Sequence, residues 1–278
     1  MKHKSLPQPR PRPMQYVVLG GLAVLFAYPI WWAISSSLKP PHDIVRDPLS
    51  FSFGSVTLDS YRAMFHDVPI GTGFLNTVLV VAVKGAMTMC FCPLAGYAFA
   101  KYRFPGRNLL FGVLMLTLML PTLVLIIPLL LEMSQLGWVN TYQALILPGS
   151  IDAFSIFWMR QTIAAVPDEL LDAGRIDGAS EFGIFRTIVL PLLRPALGAL
   201  AVWQFLQSYN SFLWPLVLVS DSSQYTLPLG LQTLFVSEQR QYDLVLAGAV
   251  LAVVPAVALF VVLRKQLLDG LSTGAVKG

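Results

Sequence analysis

Two ionisable side chains, Lys84 and Asp152, lie inside long apolar stretches of the sequence. A charge within a membrane costs at least about 2.5–3.5 kcal/mol, so such residues are candidates for a water-filled translocation path. The competing interpretation is that Lys84 extends to the membrane surface and that Asp152 caps a helix kink. Counted at about 1.5 Å per residue from Lys101 and Arg160, the two side chains lie at different depths, so we expect no direct ion pair.

The motifs of known enzyme classes do not accompany these charges. The sequence contains no HExxH, and its acidic, histidine and serine residues are scattered. A phosphate-binding loop needs Gly-Lys-Ser or Gly-Lys-Thr, and neither occurs. Cys90 and Cys92 lie in an apolar run without metal-ligand spacing, so we expect them to be packing residues. The sequence predicts no catalytic residue, no metal site and no cofactor in this chain.

The composition is that of a membrane protein. Of the 278 residues, 55% are hydrophobic and only 12% are charged, against about 25% charged in a soluble domain. The formal net charge is +4, but the basic residues lie between apolar runs rather than in one stripe, which argues against nucleic acid as a partner. Membrane lipid is therefore the predicted surroundings of much of the surface.

Six apolar stretches are long enough, or nearly so, to cross the hydrocarbon core, which takes about 20 residues. Each is predicted to be a helix, because lipid offers no partner to unpaired backbone groups. The predicted spans are 15–38, 74–100, 108–131, 144–163, 196–219 and 244–263. The first is too long for the apolar part of a signal peptide and is expected to be retained.

These spans divide the chain and orient it. With the N-terminus in the cytoplasm, 14 of the 19 Lys and Arg residues face the cytoplasm and four face the other side, while Lys84 lies within a span. This asymmetry predicts that both termini are cytoplasmic. The predicted parts are a tail at 1–14, a first span at 15–38, an extracytoplasmic loop at 39–72, a core at 73–264 with five spans, and a tail at 265–278.

The longest predicted cytoplasmic loop, 166–195, has unusual chemistry for a connector. Pro167 and the two acidic residues after it favour a helix start. Amphipathic spacing follows, Gly178 interrupts it, and a second short amphipathic helix is predicted to end at Pro191. Two interpretations are open for this pattern. Another protein grips the loop through its small residues and exposed Phe, or the loop lies on the lipid headgroups.

The same loop resembles the EAA motif of ABC importer permeases, which is roughly E-A-A, then D-G-A, then a Phe and L-P. Here the corresponding residues are Asp172-Ala173-Gly174, Asp177-Gly178-Ala179, Phe185 and Leu190-Pro191. The first triplet departs from the pattern at two positions, where Asp replaces Glu and Gly replaces Ala. Both changes keep the charge or the small size.

Further segments resemble the carbohydrate-type importers, and the maltose-type second permease subunit in particular. They follow one another along essentially the whole chain and read SSLKP at 36–40, LAGYAF at 94–99, FPGR at 104–107, FLWPL at 212–216, YTLPLGL at 225–231 and GAVKG at 274–278. Tyr209 precedes Asn210 where the family usually has Trp.

The resemblance implies an all-α type I ABC importer permease with six transmembrane helices. Its partners would be a second, related permease, two copies of a cytoplasmic ATPase that bind ATP and Mg²⁺, and an extracytoplasmic solute-binding protein. The EAA-like loop would dock in a cleft of one ATPase copy. The outer loop 220–243 would meet the binding protein, and the C-terminal tail would reach the ATPase dimer interface.

The predicted function is movement of a sugar or sugar-like solute across the inner membrane of a bacterium by alternating access. Lys84, Tyr209, Asn210 and Trp214 are candidates for the translocation path, because aromatic faces and an amide suit hydroxylated rings. Core packing is the competing role for Trp214. The alternatives are a secondary transporter, which would show inverted repeats and paired acids, and an integral-membrane enzyme. Neither has a use for the EAA-like loop.

Overall fold

The computed structural model describes residues 13–46, 56–67, 70–236 and 241–275, and within them it contains helices and turns but no strand. The predicted all-α fold class is confirmed. Most of the predicted N-terminal tail 1–14 and the last three residues of the tail 265–278 lie outside these ranges. Contacts divide the chain into one unit of Met1–Val68 with Leu234–Leu251 and a second of Pro69–Thr233 with Ala252–Gly278.

The first unit begins with α1, Pro13–Ser37, whose apolar surface is exposed as expected of a helix in lipid. Two short helices follow it, α2 at Pro41–Arg46 and α3 at Asp59–Asp67. The end of α1 is held by a hydrogen bond of 2.7 Å between the hydroxyls of Ser37 and Tyr61. The predicted loop 39–72 thus contains two short helices.

The second unit is built on α4, Ile70–Lys101, a helix of 32 residues with a length of about 48 Å at 1.5 Å per residue. The elements that follow it along the chain are α5 Arg107–Leu118, α6 Thr122–Gln135, α7 Tyr142–Ile146, α8 Ala153–Ala164, α9 Asp168–Ile176, α10 Glu181–Ile184, a π-helical turn Phe185–Val189, α11 Leu190–Leu192, α12 Arg194–Tyr209, α13 Leu213–Leu218, a 3₁₀ turn Ser222–Gln224, α14 Leu227–Val236 and α15 Tyr242–Ala275.

Three of the six predicted spans are not single helices. Predicted span 108–131 consists of α5 and α6, which are bent by 106°, and span 144–163 is broken between α7 and α8. Span 196–219 is broken between α12 and α13. The predicted helical character of these stretches is confirmed, but each consists of two helices rather than one, because apolar composition reports solubility in lipid and carries little information on bends.

Local backbone chemistry explains two of these breaks. Pro121 lies ahead of α6 with an extended backbone, φ −60° and ψ 130°, since a proline favours the extended region before a helix and supplies no N–H. Between α7 and α8, Gly149 has φ +74°, a conformation that glycine adopts without a steric cost. Among the described residues, three helices are long and apolar enough to cross a membrane, and five spans result if each bent pair counts as one.

The packing of α4 against α8 forms the centre of the second unit. A Cβ on Gly96 would come within 2.7 Å of the Met159 Cβ and 2.8 Å of the Arg160 backbone nitrogen, so only glycine allows this approach. The Thr88 hydroxyl donates to the Ser150 carbonyl at 2.6 Å. Two clusters of buried apolar residues lie towards the two ends of α4. One includes Tyr97, Met159, Leu171, Ile184, Phe185 and Val189, and the other includes Val80, Ala144, Leu145, Leu218 and Leu229.

Candidate functional site

The EAA-like loop folds as two short helices joined by a turn at Gly178. Pro167 lies immediately before α9, and Asp168 and Glu169 occupy its first turn. Gly178 has φ +79°, and a Cβ added to it would meet no heavy atom within 4 Å. The predicted glycine break is confirmed. Glycine is favoured at this position because of its positive φ, and not because a neighbouring atom of this chain would clash with a side chain. We name residues 166–192 the coupling segment.

The second half of the coupling segment differs from the prediction. Pro191 does not end the helix, since α10, the π-helical turn and α11 run on without interruption to Leu192. Pro191 lies within this continuous stretch, directly after the π-helical turn. After Leu193 the chain enters α12, and the two helical stretches are bent by 78°. The coupling segment is therefore continuous with a membrane helix.

Most of the eight candidate coupling residues face outward. Asp172, Ala173, Asp177, Gly178, Ala179 and Pro191 are exposed, whereas Gly174 and Phe185 are buried. A Cβ on Gly174 would lie 2.9 Å from the Ile188 Cδ1, so this glycine allows α9 to pack on the helix that follows. The largest apolar side chains on the outer surface are Ile176, 85% exposed, and Phe182, 63% exposed. They are available as anchors for another protein.

A charged network bridges the two helices across the turn. The Arg175 guanidinium binds the Glu181 carboxylate at 2.7 Å and the Asp172 carboxylate at 2.7 Å. These two carboxylates raise the pKa of Arg175, and the hydrogen bond from Arg175 lowers the pKa of Glu181. The Tyr102 hydroxyl also donates to Glu181 at 2.8 Å. Partial burial and that hydrogen bond raise the pKa of Tyr102 to about 12.

Lys101, the last residue of α4, holds the beginning of the coupling segment. Its ammonium donates to the Val166 carbonyl and to the Asp168 carboxylate, each at 2.6 Å. The Lys101 side chain is only 8% exposed. The hydrogen bond lowers the pKa of Asp168. In the sequence, Lys101 indicates only the depth and orientation of the chain. Nothing in the pattern links it to Val166 and Asp168, which are 65 and 67 positions away.

A cavity of about 740 Å³ is lined by residues of α4, α5, α6, α8, α12 and α13 and of the turns between them. Its lining combines aromatic rings with amides and hydroxyls. Three of the four predicted path residues belong to this lining, namely Lys84, Asn210 and Trp214. The other polar and aromatic members are Thr122, Asp152, Phe154, Trp203, Gln204, Gln207, Ser208, Ser211 and Phe212.

Tyr209, the fourth predicted path residue, is not part of that lining. Its side chain is 5% exposed, its hydroxyl donates to the Ala252 carbonyl at 2.7 Å, and its ring stacks on Phe205 at 5.0 Å. Trp214 combines both proposed roles, since it lines the cavity and its indole N–H donates to the Ala144 carbonyl at 2.9 Å.

Lys84 and Asp152 line the same cavity. Asp152 caps α8, and its carboxylate accepts from the backbone N–H and the hydroxyl of Ser155, as the capping interpretation predicts. Within the ranges that the structure describes, no ion pair joins it to Lys84. Arg160 packs level with Gly96 rather than with Lys101, so the two side chains lie closer in depth than the count from Lys101 and Arg160 indicates.

Comparison with known proteins agrees with this geometry. Residues 93–274 match the family of binding-protein-dependent transport system inner membrane components. The chain is 39% identical to the arabinooligosaccharides transport system permease protein AraQ of Halalkalibacterium halodurans over 260 residues, which cover 92% of this chain and 93% of that one. It is 34% identical to the lactose transport system permease protein LacG of Rhizobium radiobacter, with 95% and 96% covered.

The fold has a counterpart among crystal structures. A bacterial ABC transporter involved in the import of the acidic polysaccharide alginate contains a chain that superposes with a TM-score of 0.82 at 22% identity, covering 94% of this chain and 100% of that chain. The confirmed all-α architecture is thus that of a type I importer permease. This chain belongs to the family of binding-protein-dependent transport system inner membrane components, and it is the inner-membrane permease subunit of an ATP-driven importer that works with an ATPase and a solute-binding protein.

Proposed function

We propose that this permease moves a sugar or sugar-like solute by alternating access, and that the 740 Å³ cavity is its share of the path. The cavity lining carries the proposal. Flat aromatic faces beside a few amides and hydroxyls suit the alternating apolar and hydroxylated surfaces of a sugar. The names of the relatives, which refer to arabinooligosaccharides and lactose, support the same substrate class.

The orientation that we propose places six spans in the membrane, with both termini in the cytoplasm. The two ends of α4 support it. At one end lie 138–142 and 219–227, which the charge asymmetry places outside, and at the other end lies the coupling segment, which it places inside. Segments expected on one side of the membrane are therefore found together in the structure.

The assembly that we propose contains a second permease, two ATPase copies and a binding protein. The coupling segment would dock on one ATPase copy through its exposed Ile176 and Phe182, with the small residues around Gly178 allowing close approach. ATP and Mg²⁺ would bind to the ATPase, and this chain would have no catalytic role of its own. The binding protein would dock at the side that carries 219–227.

Reconstitution tests this function. The permease, its sister permease, the ATPase and the binding protein are placed in liposomes, and uptake of radiolabelled lactose and arabinooligosaccharides is measured. We expect uptake that needs ATP and the binding protein and that persists when ionophores collapse the ion gradients. Uptake that continues without ATP and stops with the ionophores would instead indicate a secondary transporter. If neither sugar class were taken up with ATP, the proposed substrate would be wrong, and the proposal of an ATP-driven importer would remain.

A further inference from the structure

We infer that α4 couples the 219–227 segment at one end to the coupling segment at the other, with Asn76 and Lys101 as its two positioning residues. The inference rests on the proposed function, in which 219–227 lies on the side of the binding protein and the coupling segment lies on the side of the ATPase. Each end of α4 is joined to one of these segments by hydrogen bonds from polar side chains, which restrict movement of the segment relative to the helix. The two ends belong to one continuous helix.

The first end depends on the Asn76 carboxamide, which is buried and fully hydrogen-bonded. Its Nδ2 donates to the carbonyls of Ser223 and Tyr225 at 2.9 and 3.0 Å. Its Oδ1 accepts from the Tyr142 hydroxyl at 2.8 Å. An aspartate of the same shape would place an oxygen against two carbonyl oxygens, and buried polar groups without partners are costly. Asparagine is therefore matched to the backbone of the 219–227 segment.

Thr77 extends this attachment by one residue. Its hydroxyl accepts from the Leu227 N–H at 2.7 Å and donates to the Gly73 carbonyl one helical turn away at 2.9 Å. A Cβ on Gly73 would already be in contact with the Tyr225 carbonyl at 3.5 Å. The backbone of 223–227 therefore lies directly on α4, and a displacement of this segment by a partner must move the helix or break these bonds.

The second end repeats the arrangement with charged groups. Lys101 donates to the Val166 carbonyl and to Asp168, and Tyr102, the next residue, donates to Glu181. Val166 and Asp168 lie at the start of the coupling segment and Glu181 lies beyond its glycine turn. Both helices of the coupling segment are thus attached to the same end of α4.

The connection between the ends is a single helix. Asn76 and Lys101 are 25 residues apart, or about 38 Å at 1.5 Å per residue. Lys84 lies between them and lines the cavity. The helix that would carry the signal therefore also forms part of the proposed path. The competing interpretation is that both sets of contacts are static packing with no energetic connection.

A double-mutant cycle decides between the two. The variants are Asn76→Asp, Lys101→Met and the double variant, each in the full reconstituted complex. The measurement is the fold stimulation of ATP hydrolysis by the loaded binding protein, per assembled complex. Thr117→Val is the matched control, since it removes a hydroxyl bond within α5 and should leave stimulation unchanged within about twofold. Lys101→Arg keeps a charged donor and should restore most of the stimulation.

We expect each single variant to reduce stimulation about tenfold, which corresponds to about 1.4 kcal/mol. Sites this far apart normally act independently. In that case the double variant should reduce the stimulation of ATP hydrolysis about a hundredfold. If α4 carries the signal, either variant already interrupts it, and the double variant should stay near tenfold. Reciprocity gives a second readout, because Lys101→Met should also shrink the change in binding-protein affinity that a non-hydrolysable ATP analogue causes.

The remaining outcomes are also decisive. Independent, multiplicative losses in a complex whose wild type responds to the binding protein would overturn the inference and leave the proposed function standing. A wild type without any response would overturn the proposed function and the inference with it. If a variant fails to assemble, Thr77→Val and Asp168→Asn weaken the attachments at the same two ends of α4, and Asp168 tolerates change because its side chain is 75% exposed. The criterion for the double variant is the same.

Discussion

Gly178 combines a backbone requirement with an open outer surface. Its φ of +79° favours glycine, because a Cβ in the left-handed region costs about 1–2 kcal/mol. Nothing in this chain approaches within 4 Å of an added Cβ. The open space on its outer side is therefore available to another protein. Backbone strain and loss of docking are separable effects of a substitution here.

Gly178→Val should leave the protein inserted and similarly abundant but abolish import. Gly178→Asn separates the two causes, since Asn tolerates positive φ but still adds a side chain to the docking surface. We expect Gly178→Asn to lose substrate-stimulated ATP hydrolysis as well. The measurements are sugar uptake and stimulated ATPase in the reconstituted complex. Normal values for Gly178→Asn beside a defective Val variant would assign the defect to backbone strain alone.

Lys84 is the residue whose replacement tests the cavity as the path. Lys84→Met keeps the length of the side chain and removes the charge, and it should change the uptake rate or the preference among sugars by about fivefold or more while the complex still assembles. A charge-assisted hydrogen bond to substrate contributes about 1.5–3 kcal/mol, so such an effect is within range. Lys84→Arg is the control that keeps the charge. Unchanged uptake kinetics in Lys84→Met would mean that Lys84 lines the cavity without contacting the substrate.

At the scale of elements, apolar length predicted α1 and α4 well but failed where helices bend. The break before α8 was present in the sequence as Pro148-Gly149, followed by the capping residue Asp152, but the surrounding apolar run concealed it. The glycine turn of the coupling segment was predictable, because turn chemistry is local. The attachment of Lys101 and Tyr102 to that segment was not, since residues so distant in sequence meet only through tertiary packing.

The polar network of the coupling segment should resist mild acid. The pKa values of Asp168 and Glu181 are lowered by Lys101 and Arg175 respectively, from ordinary values of about 3.9 and 4.3. A carboxylate whose pKa is lowered by folding stabilises the folded state at pH values above its pKa in the unfolded chain. This stabilisation is lost only as the pH falls through its pKa in the folded state. Tyr102, with a pKa of about 12, stays a donor at the alkaline end.

Amide hydrogen exchange of the coupling segment measures this directly. Protection in residues 168–184, corrected for the intrinsic pH dependence of exchange, should be constant from pH 8 to about pH 5. It should decrease once the pH is below about 4. Asp168→Asn removes one of the titrating carboxylates, and its protection should be lower at neutral pH. A loss of protection between pH 7 and pH 5 would mean that the ion pairs do not hold the segment.

For the whole molecule, the proposed orientation rests on two independent features. The distribution of Lys and Arg places 166–195 on one side of the membrane and 220–243 on the other. In the structure, the coupling segment and the 219–227 segment contact opposite ends of α4, a helix long enough to cross the hydrocarbon core. Contacts alone cannot say which end is cytoplasmic, whereas the basic residues can. Together, the distribution of basic residues and the contacts of α4 predict the side of the membrane on which each of the two segments lies.

Single cysteines should therefore be labelled from one side only. In a Cys90→Ser, Cys92→Ser background, Ala179→Cys should react with a membrane-impermeant maleimide only from the cytoplasmic side, and Ser222→Cys only from the outside. Both positions are exposed, and neither side chain contributes a hydrogen bond to the networks that hold the two segments.

Asn108→Cys provides the matched check on the cytoplasmic side, because it lies in a different element, at the start of α5 next to Arg107. Labelling is compared in right-side-out and inside-out vesicles at equal protein amounts. If Ala179→Cys reacted from outside, the coupling segment could not reach a cytoplasmic ATPase, whatever its shape. If only Ser222→Cys behaved unexpectedly, the coupling segment would keep its place, and the connection through α4 would have to begin somewhere other than at the binding protein.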